Sequence, residues 1–293
     1  MKARYAELSV VDLKLYYMLE IPETKTIAEQ AGETLVGKTV VKVINATNEH
    51  KFAWFCGDPK EYGKLLVGKQ IKSTLGHGMF VDLNLDSDTH ITIGEGTNIR
   101  YCHPYEKRPD KHQLLLVLDD ESFVVFTVAM YGMICAYKGR LDHRYYIGSL
   151  ESISPLDDRF DKAFFEEIFR SMRKDISIKA LLATEQRIPG FGNGVLQDIL
   201  FNSGINPKRK ISTISDFEKE ELFHNFKYNL WSMTDNGGRD TEKDLFGNIG
   251  GYKTILSKNT YNNPCPNCGG TITKEAYLGG SVYYCRMCQP MGK

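Results

Sequence analysis

Four cysteines near the end of the chain fall in two pairs, Cys265-Pro266-Asn267-Cys268 and Cys285-Arg286-Met287-Cys288, with sixteen residues between the pairs. Thiolates at i and i+3 can wrap one side of a tetrahedral ion, and two such pairs at this spacing make a four-thiolate zinc site. Four protein ligands leave no open position for water, so the single Zn2+ expected at Cys265, Cys268, Cys285 and Cys288 is structural. Two free or disulfide-bonded pairs are the alternative. The segment between the pairs reads as a hairpin, with Thr271-Ile272-Thr273 going up, Gly279-Gly280 turning and Ser281-Val282-Tyr283-Tyr284 returning. A second stretch, Arg187-Ile188-Pro189-Gly190-Phe191-Gly192-Asn193-Gly194, places glycines where two helices turn sharply. It leaves unpaired N–H groups at the start of the second helix, a geometry that binds an anion. Gly192 and Asn193 in the turn, with Lys179 adding a donor, suit a DNA phosphate. A helix hairpin without a ligand fits the same residues. The zinc hairpin downstream favours double-stranded DNA.

The elements that must hold these groups separate into two textures. Strand patterning covers Thr39 to Ile44, Gly78 to Leu85, His90 to Ile93, Leu114 to Leu118 and Ser122 to Thr127, with Asp119-Asp120-Glu121 as a hairpin turn. This β-rich part, 18–150, is expected to form a sandwich, preceded by a helix from Thr26 to Leu35 that Gly37 stops. From Ser154 onward the pattern is helical. Helices are expected over Asp161 to Met172, Ile176 to Gln186, Asn193 to Ser203 and Ser215 to Met233, the last opened by a Ser215/Glu218 capping box. The fold class is therefore α+β, with a helical domain over 151–250 and a zinc finger over 251–293. Residues 1–17 are expected to be an extension, or to precede a true start at Met18.

Composition sets the class. The 293 residues are 42% hydrophobic and 25% charged, which describes a globular protein with cores able to fold unaided. No apolar run approaches the ~20 residues of a membrane helix, and the first residues lack a signal-peptide core. A cytoplasmic monomer with no membrane partner is expected, with Cys56, Cys102 and Cys135 as buried free thiols. The net charge is zero, but Arg170 to Lys210 carries eight Lys/Arg against three Asp/Glu, a local +5. Lys253 to Lys293 carries five against one, a local +4. Such local excess is what a phosphate-binding face requires. His77 and His112 read as satisfied or surface residues of the strands.

The chain resembles the formamidopyrimidine-DNA glycosylase/endonuclease VIII family of base-excision repair enzymes from Leu19 to its end. The resemblance rests on Glu20-Ile21-Pro22-Glu23, on Ile178-Lys179…Gln186…Gly190-Phe191-Gly192-Asn193, on Ile205-Asn206-Pro207, on Gly237-Gly238 and on the closing Cys285-Arg286-Met287-Cys288-Gln289. It implies a β-sandwich and a helix–two-turn–helix domain clasping bent, lesion-containing DNA with the damaged nucleotide swung out. It also implies phosphate contacts from Lys179 and Asn193, zinc on the four cysteines, and glycosylase and abasic-site lyase chemistry. Glu20 and Glu23 match the family's acids, although a carboxylate near a helix start is commonly a dipole-stabilising residue. Several positions depart from the pattern. The family's nucleophile is a free amine on a small first residue; the matching Leu19 is internal. The phosphate-binding lysine matches Met79, the arginine pair of a wedge matches Ala129-Met130 ahead of Tyr131, and the finger's arginine matches Gly280. The resemblance thus implies either a glycosylase with altered site chemistry, Glu20 directing water at the sugar, or a catalytically inactive member that binds damaged or bent DNA.

Overall fold

The structure, a computed structural model, describes residues 19–292, so the expectation for 1–17 lies outside the described residues. It opens with α1 (Ile21–Leu35), which starts earlier than the apolar pattern from Thr26 indicates. Pro22 explains the difference: in the first turn its missing N–H would have had no helical partner anyway. Gly37, at φ +91°, takes the chain out of the helix as expected.

Seven strands follow, interrupted by the short helix α2 (Tyr62–Leu66): β1 (Val40–Asn45), β2 (Ala53–Phe55), β3 (Ile71–His77), β4 (Phe80–Leu85), β5 (Thr89–Cys102), β6 (Leu114–Leu118) and β7 (Phe123–Lys138). They form one sheet in the order β1-β6-β7-β5-β4-β3, with β2 beside β7. The sandwich is this sheet folded over. The first half of β5 pairs with β4, and the far half of β7 pairs with β2 in parallel. Beyond a bulge between Glu95 and Thr97, β5 continues along the near half of β7, which also pairs with β6. Leu83, Ile91 and Ile93 thereby meet Leu114, Leu116, Val124 and Phe126 in one core. β5 and β7 run well past their expected ends because alternation fails at the bulge, where Gly94 and Gly96 flank Glu95.

One expectation is overturned in this layer. Cys56 and Cys135, read as free thiols, form a disulfide, while Cys102 is free and buried. The parallel pairing of β2 with β7 carries Cys56, just past Phe55, alongside Cys135. A sequence separation of 79 gives no local sign of that pairing. His77 behaves as the satisfied residue expected: its ring nitrogens lie 2.7 Å from Ser149 Oγ and 3.1 Å from Asp82 Oδ2. His112 is buried, with Nδ1 beside Thr47.

The helical half contains α3 (Arg144–Glu151), α4 (Lys162–Arg170), α5 (Ile178–Ala183), α6 (Asn193–Asn202) and α7 (Asp216–Asp235). Asp161, Ser177 and Ser215 cap three of them, and Ser215 with Glu218 forms the capping box read from the sequence. Phe160, Phe165, Phe191 and Phe226 stack in the core, with Phe191 and Phe226 ring centroids 4.9 Å apart. The chain ends in the hairpin β8 (Ile272–Tyr277) and β9 (Gly280–Cys285). Among the described residues no helix is long and apolar enough to cross a membrane.

The link from the helical half to this hairpin is pinned by Asp198 on α6, whose buried carboxylate accepts the N–H groups of Ile255 and Leu256 at 2.8 Å each. Burial outweighs those bonds and pushes its pKa up to about 6. A carboxyl raised in the folded state stabilises below its unfolded pKa and loses that contribution as pH rises through the folded value. Wild-type stability in urea should therefore fall between pH 4 and pH 7 by about 2–3 kcal/mol more than that of Asp198→Asn. Parallel curves for the two proteins would contradict this.

Candidate nucleic-acid interface

The four cysteines read as zinc ligands converge at one end of the β8–β9 hairpin, their sulfurs all within 4.8 Å of one another. Cys265 and Cys288 sulfurs are 3.7 Å apart, those of Cys268 and Cys285 3.5 Å. Four sulfurs at about 2.3 Å from a common centre would sit about 3.8 Å from each other, so the donor set fits a single zinc ion. No disulfide joins these four, which removes one alternative reading. The hairpin is seated by buried amides as well as by a small apolar core. Gln197 accepts the Tyr283 N–H, Gln289 accepts the Cys285 N–H and donates to the Ile205 carbonyl, and Asn206 donates to the Gln289 carbonyl.

That seating brings the hairpin tip onto the helix tip. Asn193 opens α6 and its Nδ2 donates to the Ser281 carbonyl, while Lys179 Nζ donates to the Tyr277 carbonyl. A side chain at Gly280 would stand 3.3 Å from Asn193 Nδ2 and 3.7 Å from Lys179 Nζ. Lys179, Asn193 and Gly280, from three separate stretches, therefore share one spot. Asn193 Oδ1 is buried without a hydrogen-bond partner. Burial lowers the Lys179 pKa to about 8.

Gly192 does something other than face outward. A Cβ there would meet Glu20 Oε1 at 2.4 Å, because Glu20 reaches across from the β-rich half and occupies the helix N-terminus itself. Its two oxygens accept the N–H groups of Gly194 and Val195, each at 2.8 Å. The unpaired amides expected to meet a phosphate thus hold an internal carboxylate, which suits the positive end of the helix dipole.

Glu20 and Glu23 converge on a residue that the sequence reading passed over. Arg239 donates from Nε and Nη2 to the two oxygens of Glu23, at 2.9 and 2.8 Å, and its backbone N–H adds a third bond at 3.1 Å. Its Nη1 lies 3.4 Å from Glu20 Oε2. All three side chains are buried. Burial pushes the Glu20 carboxyl upward while Arg239 pulls it down; burial also opposes the Arg239 charge, but the two glutamates outweigh that and hold the guanidinium protonated. Gly194 is required as much as Gly192, since a Cβ on it would fall 1.4 Å from Arg239 Nη1. The Gly237-Gly238 pair preceding Arg239 was the available signal. An isolated arginine after two glycines carries no pattern of its own.

Leu19 sits above this knot, buried, with its peptide N–H donated to the Glu95 carbonyl at 3.1 Å. It lies at the edge of a cavity of about 380 Å3, walled by Asn98, Arg100, Cys102 and Val125 on one side and by Glu242, Asp244 and Phe246 on the other. Met79 is buried against Phe80 and Met133, a core residue rather than a phosphate contact. Tyr131 is exposed at the β5–β7 bulge, where Glu95 pairs with Gly132.

A folded-over sandwich, a helix–two-turn–helix lobe and a four-thiolate hairpin over the helix tip define a class of two-lobed proteins whose lobes are joined by the first glutamates. The model of the formamidopyrimidine-DNA glycosylase N-terminal domain matches residues 18–152. Formamidopyrimidine-DNA glycosylase of Geobacillus kaustophilus is 26% identical over 285 residues, covering 93% of this chain and all of the relative. That of a Roseiflexus species is 28% identical over 289 residues, covering 93% and 100%. Among solved structures, the Thermus thermophilus MutM (Fpg) protein superposes with a TM-score of 0.75 at 21% identity, covering 94% of this chain and 100% of that one. The Lactococcus lactis Fpg bound to abasic-site DNA gives 0.79 at 18% identity, covering 92% and 99%. Residues 18–152 thus carry the formamidopyrimidine-DNA glycosylase N-terminal domain, and the chain over nearly its whole length is similar to members of that family.

Proposed function

We propose that the protein is a DNA-repair glycosylase that grips lesion-containing duplex with its helix tip and finger and releases a damaged base from a swung-out nucleotide. The observation that carries this reading is the convergence of Lys179, Asn193 and the Gly280 turn on one spot at the start of α6, whose next amides hold Glu20, the neighbour of the cavity residue Leu19. In the unliganded protein, Lys179 and Asn193 spend their donors on two carbonyls of the hairpin tip. A phosphate that displaced those carbonyls would take up the same donors and, with them, a charge. A zinc ion on Cys265, Cys268, Cys285 and Cys288 would hold the tip's two strands together and supply no chemistry to the reaction. The cavity beside Leu19 is roomy enough for one extruded base, with Asn98 and Arg100 available to its edge. Tyr131, exposed at the bulge, is suited to fill the space the base leaves by stacking.

Covalent chemistry through an amine is disfavoured at Leu19, whose nitrogen is a peptide nitrogen already donated to Glu95. A Met18 amine lies outside the described residues. The reaction is then hydrolytic, with no strand nicking. Glu20, fixed beside Leu19 by two amides and Arg239, lends negative charge to the sugar as it becomes cationic, and Glu23 positions Arg239. The test is single-turnover incubation of the full chain with 5′-labelled duplexes carrying one Fapy-dG or one abasic site, with borohydride present. Base release without a trapped adduct is expected. Binding of the abasic duplex with no release on any lesion would favour the inactive family member instead.

Because Lys179 must be charged to hold a phosphate, duplex affinity should fall as pH rises from 7 to 9, through its lowered pKa of about 8. Lys179→Arg, charged throughout, should bind with no such fall, and Lys179→Ala should lose roughly tenfold in affinity and about one unit of salt slope. Anisotropy titrations across that pH range decide it.

A further inference from the structure

The mechanism above needs a group to take the proton from water, and both glutamates next to Leu19 are committed. Glu20 accepts two amide N–H groups beside Arg239, and Glu23 is held by three donors of Arg239. A third acidic residue adjoins Leu19 through its backbone. Glu95 holds Leu19 through its own carbonyl, at the bulge where β5 and β7 lose register. Its φ is +54°, in the left-handed region, with Gly94 and Gly96 on either side. A bulge residue in that region is ordinarily glycine, and a side chain there costs stability. The chain has glycine at both neighbours and a carboxylate at the one strained position. Bulges of this kind re-aim a side chain next to a site, and strain of this kind collects where a side chain is needed. Among the described residues the Glu95 carboxylate has no ion-pair or hydrogen-bond partner, and it is only partly exposed, beside Tyr131. Burial raises its pKa above the ordinary glutamate value, which makes it a stronger base than a solvated carboxylate.

Building on the glycosylase reading, we propose that Glu95 is the general base of a hydrolytic reaction, activating the water that attacks the sugar. The water oxygen bonds to the anomeric carbon as the carbon–nitrogen bond to the base breaks, its electron pair leaving on the base. Glu95 takes the water proton and returns it to the departing base, so the carboxylate is regenerated without any other reactant. Glu20 and Glu95 then divide the work of two carboxylates on one centre, the first holding charge and the second moving a proton.

The test uses the full chain under single-turnover conditions on the Fapy-dG duplex, with binding measured separately on a duplex carrying a tetrahydrofuran abasic analogue. Glu95→Gln should slow base release by roughly 100-fold or more while leaving affinity for the tetrahydrofuran duplex within about twofold. Glu95→Asp should recover part of the rate. Glu95→Gly, which relieves the left-handed strain, should melt at or above the wild-type temperature yet release base no faster than Glu95→Gln. Wild-type release with unimpaired Glu95→Gln overturns the assignment and leaves the glycosylase reading standing. Equal losses of rate and affinity in Glu95→Gln would show a structural role and also overturn it. No release by wild type, with binding intact, removes the glycosylase reading and this inference with it.

Discussion

Arg239→Met should destabilise the protein by about 3–5 kcal/mol at neutral pH, the largest effect expected of any single substitution outside the finger. The methionine fills most of the same volume, so the loss is not a cavity effect. It comes from leaving Glu20 and Glu23, both buried, without the guanidinium that both face. Glu20 keeps its two amide donors and Glu23 keeps only the backbone N–H of residue 239. The Glu20 carboxyl, which burial already raises, would then shift further upward, with only its amide bonds left to oppose burial. A raised carboxyl contributes stability below its unfolded pKa and loses it above, so the defect should shrink as pH falls toward about 4.5. Adding Glu23→Gln should restore part of the loss at pH 7, because the removed charge is the one with fewer remaining donors. Urea unfolding of the wild type, the single and the double variant at pH 4.5 and pH 7 tests all three statements. A pH-independent loss, or no recovery in the double variant, would mean that charge is not what Arg239 contributes.

The same triad explains which parts of the molecule could be read from the sequence. Local signals survived intact. The Ser215/Glu218 box, Gly37 after α1 and the two Cys-x-x-Cys turns each depend on residues within a few positions of one another, and each is found where expected. What could not be read depends on distance along the chain. Cys56 meets Cys135 only because β2 lies parallel to β7. Glu20 fills the N-terminus of α6 across 174 positions, so the amides that look free in sequence are occupied in the fold. Gly192 and Gly194 read in sequence as part of a sharp turn between helices, and the fold requires them also as room for Glu20 and Arg239. β5 and β7 were truncated in the reading because the bulge at Glu95 interrupts alternation, although pairing continues past it. Lys179 and Asn193 lie at one spot, and the hairpin carbonyls that accept their hydrogen bonds have no sequence signature.

Those carbonyls make the finger the second place where one change should have a large consequence. The β8–β9 hairpin is a two-stranded sheet, which is marginal in water on its own. Its small core, Phe201, Leu256, Ile272 and Tyr283 with Cys265 and Cys285, joins it to α6. Gln197, Asn206 and Gln289 fasten the β9 side of the hairpin by buried hydrogen bonds. None of these fastens Cys268, which is exposed, to the opposite thiolates. That closure would fall to a zinc ion on the four cysteines, and structural zinc in finger peptides contributes on the order of 10–16 kcal/mol of apparent binding free energy. Stripping one zinc per chain with a chelator, or substituting Cys268→Ser, should therefore release the hairpin while the β-sandwich stays folded. Lys179 and Asn193 would lose the surface that aligns them, and duplex affinity at physiological salt should fall by roughly 100-fold or more. Hydrogen exchange supplies the discriminating readout. Amides of Tyr283 and Cys285 should exchange rapidly in the stripped protein, whereas those of Leu116 and Phe126 should remain protected. Protection lost evenly across both lobes would mean that the finger stabilises the whole chain; protection and affinity both retained would mean that the amide contacts of Gln197 and Gln289 hold the hairpin without any ion.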